Sequence, residues 1–144
     1  MSETIRTGAD GAPRTPARAI VAAHAQMASG LVSAVAQITG RGEVFVPLGN
    51  AELGREQLEA VLRERLRDTG AGIVFTDLPG GSWTIAARRV QRDQPALVVV
   101  TGVNLAMLLE YVFHDADAPA GAAAAAAVGK GRSAMLVAGG VVAD

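Results

Sequence analysis

"AIVAAHAQMASG", residues 19–30, decides the fold. Its opening, Ala19 to Ala23, is an unbroken apolar run of strand length, as expected for a strand covered on both faces. The run stops at His24. Apolar residues then return as Met27, Leu31, Val35 and Ile38, at spacings of four, four and three. That is helical periodicity, so these residues are expected on one inward stripe. A buried strand handing over to a helix opens a parallel βαβ unit, and His24 stands at the handover.

The same grammar repeats downstream. "EVFVP" (43–47) reads as a second strand, ended by Pro47, Gly49 and Asn50. A helix follows over 52–68, with Leu58, Val61, Leu62 and Leu66 inward. Gly40 and Gly70 close the two helices. "GIVFT" (72–76) is a third strand, and "DLPGGS" (77–82) is a turn whose Ser82 is the expected N-cap of a helix to about Val90. "ALVVVT" (96–101) is a fourth strand, and "GVN" (102–104) leads to a helix over 105–113. The alanine run 122–127 marks a last helix. "VAGGVVAD" (137–144) is either a short final strand or a frayed end. The expected architecture is α/β: a doubly wound, mainly parallel sheet of order 2-1-3-4, with helices on both faces and a possible extra edge strand. Residues 1–17 read as a flexible tail and 18–144 as one domain.

Composition narrows the function. Of the 144 residues, 13 are basic and 14 acidic, for a net charge of -1. That gives no field for holding nucleic acid or an anionic membrane. Aromatics are 3%, so Ala, Val, Leu and Ile must build the core. With no cysteine there is no disulfide and no thiolate metal site, which is compatible with a reducing cytosol. No apolar run is long enough to span a bilayer, and the start of the chain lacks the apolar core of a signal peptide. A cytoplasmic protein is expected.

Doubly wound sheets bind ligands beyond the carboxyl ends of their strands, where the strand order reverses. In the order 2-1-3-4 that point lies between the first and third strands. His24 follows the first and Asp77 the third. A carboxylate can accept from one imidazole nitrogen, leave the other lone pair free, and stabilise the cation formed if that nitrogen is phosphorylated. Two helix starts, after His24 and at Ser82, would aim N–H groups at the same crevice. Gly80 and Gly81 allow close backbone approach, and the Ser82 hydroxyl adds a donor. Each feature alone has a plainer reading: an isolated histidine is more often structural, and "DLPGGS" more often a capped turn. Neither a GxxxxGK[ST] loop nor a strand-linked GxGxxG is present. His114 reads as a helix C-terminal cap rather than a metal ligand, Arg88 and Arg89 as a solvated face, and Trp83 as an exposed contact near the crevice.

These residues resemble a family. "GIVFTDLPGGSWTIAARRV…ALVVVTGVNLAMLLE" is similar to the mannose-type enzyme IIA domain of the bacterial phosphoenolpyruvate:sugar phosphotransferase system (PTS). The shared marks are Asp77, Gly80-Gly81-Ser82, Ala86-Ala87 and Gly102-Val103-Asn104 with Met107-Leu108. His24 holds the place of the family's active-site histidine, and the likeness covers about residues 18–135. It implies a homodimeric histidine phosphocarrier. His24 would take phosphate from HPr and give it to a cysteine of enzyme IIB, with Asp77 as orienter. Gly80, Gly81, Ser82 and the backbone at Ala25 would contact the phosphoryl group, and no cofactor or metal is implied. Ala25 stands where the family usually has glycine, Trp83 where proline is frequent, and Ile85 where a helical asparagine is common. Rival readings are the IIA-like subunit of a dihydroxyacetone kinase, against which "GVN" argues, a non-catalytic regulatory module of the same fold, and a flavodoxin-like ligand-binding domain.

Overall fold

The computed structural model describes residues 18–140, so the expected tail at 1–17 and the final residues 141–144 lie outside it. Four strands, β1 (Ala19–Ala22), β2 (Phe45–Leu48), β3 (Ile73–Thr76) and β4 (Val98–Val100), form one parallel sheet of order β2-β1-β3-β4. This is the expected order. β1 and β3, the two inner strands, are fully buried along their length, as their all-apolar reading required.

Five helices cover the sheet: α1 (Met27–Thr39), α2 (Arg55–Thr69), α3 (Ser82–Asp93), α4 (Leu105–Phe113) and α5 (Ala120–Ser133). α1, α4 and α5 pack on one face with Ala19 and Val21; α2 and α3 pack on the other with Ile20 and Ala22. The alternation along β1 thus feeds two cores. The first holds Phe45, Phe75 and Tyr111, whose rings meet at centroid distances of 5.5–6.3 Å. Gly40 and Gly70 end α1 and α2 in the left-handed conformation, φ 74° and 66°, which glycine adopts without strain.

Several expectations shift. β2 starts at Phe45, because Gly42–Val44 coils into a 3-10 turn first. α2 starts three residues later than expected, at Arg55. α1 buries only the middle of the expected stripe: Val35 is buried and Leu31 packs half-buried on the first core, but Met27 and Ile38 are 41% and 59% exposed and Ala28 is buried instead. At 100° per residue, Met27 and Ile38 point within roughly 20° of each other, and so do Ala28 and Val35, about 100° away. The docked face is therefore rotated from the expected one and runs through Ala28, Leu31, Val32 and Val35. Trp83 is completely buried in the second core, not an exposed contact. Residues 135–140 form neither helix nor strand.

The register places the site. Ala22 is level with Thr76 on β3. Two residues past Ala22 comes His24, and one past Thr76 comes Asp77. Both leave the sheet at its carboxyl edge from adjacent strands.

Candidate functional site

His24 and Asp77 meet. Nδ1 of His24 lies 2.6 Å from Asp77 Oδ2, and the His24 backbone N–H donates to the same oxygen at 2.9 Å. The Asp77 side chain is only 6% exposed, while that of His24 is 45% exposed. Burial works to raise the carboxyl's pKa, but the hydrogen bonds from the His24 backbone and ring, with the ring's charge, outweigh it. The pKa is held below its ordinary 3.8. Near neutral pH Asp77 is thus an acceptor only, so the shared proton resides on Nδ1. In the neutral ring this leaves the Nε2 lone pair free.

Ala25 adopts φ 51°, in the left-handed region. A Cβ there costs about 1–2 kcal/mol, which a glycine avoids. Its N–H donates to Asn50 Oδ1 at 3.0 Å, so this amide is engaged by a side chain. Gly49 closes the contact: a Cβ on it would stand 2.6 Å from the Ala25 carbonyl oxygen. The loop after β2 therefore clasps the residue after His24. Asn50 was read only as a strand terminator.

Across the crevice, the turn after β3 brings Gly81 against the imidazole. A Cβ on Gly81 would lie 3.4 Å from His24 Cε1 and 3.3 Å from Leu78 Cβ. Gly81, not Ser82, is the N-cap residue of α3, with extended angles of φ -76° and ψ 167°. Ser82 is the first helical residue: glycine takes the extended position without a side chain, and the helix begins one residue later. The amides of the first turn, Ser82 to Thr84, lie before the first residue able to bond within the helix, Ile85, whose N–H reaches Gly81 O. Gly80 has open space around it. Arg88 and Arg89 are exposed as expected, and His114 is the C-cap residue of α4.

The profile of the family described as "EIIA-man: PTS system fructose IIA component" matches residues 18–128. The chain belongs to this family. Among solved structures, the IIA chain is similar to the mannose/sorbose-specific IIA subunit of the phosphotransferase system from Enterococcus faecalis, at 25% identity and TM-score 0.75, over 90% of this chain and all of the other. It shares its fold with the phosphotransferase component EIIA from Streptococcus agalactiae, at 21% identity and TM-score 0.76, over 83% and 95% of the two chains. It also shares the fold of the IIA protein associated with the fucose utilization operon of Streptococcus pneumoniae, at 22% identity and TM-score 0.69, over 85% and 93%. No curated protein sequence matches it. Among the described residues no helix is long and apolar enough to cross a membrane.

Proposed function

We propose that this IIA protein is a phosphocarrier that accepts a phosphoryl group on His24 from phospho-HPr and passes it to an enzyme IIB. One observation carries the reading: Nδ1 of the half-exposed His24 ring lies 2.6 Å from the buried Asp77 carboxylate, which supports a proton on Nδ1 and Nε2 as the nucleophile. The Nε2 lone pair attacks phosphorus. A P–N bond forms while the bond to the donor breaks, its electron pair leaving with the donor. The ring becomes cationic, and the Asp77 carboxylate offsets that charge. The first-turn amides of α3, with Gly80, Gly81 and Ser82, receive the phosphoryl oxygens; Ala25 contributes the backbone path past His24 rather than a free N–H. Transfer to the IIB cysteine runs the same geometry in reverse.

Exposed apolar side chains flank the histidine. Met27 is 41%, Leu78 54% and Ile85 45% exposed. They suit successive docking of HPr and IIB on one face. The protein acts in the cytoplasm, as a homodimer.

Incubation with enzyme I, HPr and phosphoenolpyruvate should place an acid-labile phosphate on His24, read by intact mass, and His24→Ala should abolish it. An unlabelled wild type, under conditions that label another IIA, would overturn the relay and leave a non-catalytic interaction module of this fold.

A further inference from the structure

Two buried hydroxyls flank the Asp77 turn. Thr76 ends β3 and Thr84 lies in the first turn of α3; they are 0% and 5% exposed, the buried polar residues of the described chain. Their Oγ1 atoms are 2.6 Å apart, and Thr84 Oγ1 is 2.5 Å from the Leu78 carbonyl oxygen. A carbonyl cannot donate, so the Thr84 proton goes to Leu78. The Thr76 proton then goes to Thr84, the Val100 carbonyl at 3.4 Å being its longer alternative. The proton order is therefore set along the chain Thr76 to Thr84 to Leu78.

Thr76 and Leu78 are the two neighbours of Asp77. One hydroxyl on α3 thus ties both sides of the residue whose Oδ2 receives the His24 ring and backbone protons. Asp77 itself has little else to hold it, since its Oδ1 is buried with no hydrogen-bond partner. We propose that Thr84 is a positioning residue of the transfer site, acting through Asp77 to hold His24 in the tautomer with a free Nε2. The assignment rests on the phosphocarrier reading for its purpose, but not for its test.

Removing the hydroxyl leaves neither neighbour stranded. Leu78 O still accepts the Gly81 N–H at 3.2 Å, and Thr76 can turn to Val100 O. Thr84→Val should therefore fold with the turn loosened. Nitrogen-15 NMR of the imidazole at neutral pH reads the tautomer directly. Wild type should show a protonated Nδ1 and a bare Nε2, Thr84→Val a mixture of tautomers, and Thr84→Ser a return to wild type. The rate of His24 phosphorylation should fall roughly tenfold or more in Thr84→Val and recover in Thr84→Ser, since small misplacements of reacting groups are costly. A purely structural threonine would lower the melting temperature of Thr84→Val without moving the tautomer, and that result overturns the proposal. If Thr84→Val does not fold, Thr76→Val breaks the chain from its other end under the same readout. Because the tautomer is measured without HPr, failure of the relay and failure of this assignment are separable.

Discussion

At the residue scale, one proton decides what His24 can do. Asp77→Asn keeps the shape and an oxygen able to accept both His24 N–H groups, as Oδ2 does, but it removes the negative charge. The amide N–H₂ then takes the buried, unpartnered Oδ1 place, and nothing beside the ring offsets the positive charge of phosphohistidine. His24 phosphorylation should slow by up to roughly 10⁴, the scale of replacing the carboxylate of a histidine–carboxylate pair by its amide. The same substitution has a pH signature. The folded pKa of Asp77 lies below its ordinary 3.8, so the unfolded chain binds more protons in that interval and stability rises with pH across it. This contribution is present above the ordinary value and is lost as pH falls through the lower folded one. Urea unfolding should show Asp77→Asn weaker than wild type at pH 7, with the gap closing below the ordinary carboxylate range. His24, Asp77 and Gly81 were legible in the sequence because topology alone sets what leaves adjacent strand ends. Asn50 was not, since no periodicity fixes the path of the loop that carries it to Ala25.

At the scale of elements, the GVN segment finds its explanation in packing. Asn104 caps α4 by accepting the Met107 N–H at 3.0 Å, and its amide donates to Gly131 O of α5 at 3.1 Å. Gly131 must stay small, because a Cβ there would come within 2.5 Å of Met107 Cγ. Asn104→Ala removes a cap and a helix–helix tie together, and should lower unfolding stability by about 1–2 kcal/mol in urea titrations. Asn104→Asp should restore the cap alone. Element type was legible nearly throughout, whereas helix orientation was less so. In α3 the buried residues Trp83, Ala86, Ala87 and Val90 stand at i, i+3, i+4 and i+7, so the helical period buries Trp83, which was expected as an exposed contact. In α1 the two ends of the expected stripe, Met27 and Ile38, lie outside the contact instead, because the helix docks through Ala28, Leu31, Val32 and Val35.

For the whole molecule, the strand order was readable from right-handed crossovers between short apolar strands. What covers the sheet's edges was not, because it depends on surfaces beyond this chain's own pattern. β4 pairs only with β3 among the described residues. After α5, Met135, Leu136 and Val137 are 67%, 76% and 82% exposed. An open edge and a solvated apolar segment are costly alone, and the proposed homodimer would relieve both. Sedimentation should give twice the chain mass, and Leu136→Glu with Val137→Glu should drive it toward the single chain; a monomeric wild type at micromolar concentration would refute the dimer.

The division of aromatics between the two layers has a practical consequence. The chain's one tryptophan, Trp83, reports from beneath α2 and α3, and its one tyrosine, Tyr111, from beneath α1, α4 and α5. Each side of the sheet therefore carries a private chromophore. Emission from the indole and near-ultraviolet dichroism of the phenol can follow the melting of either layer without an added label.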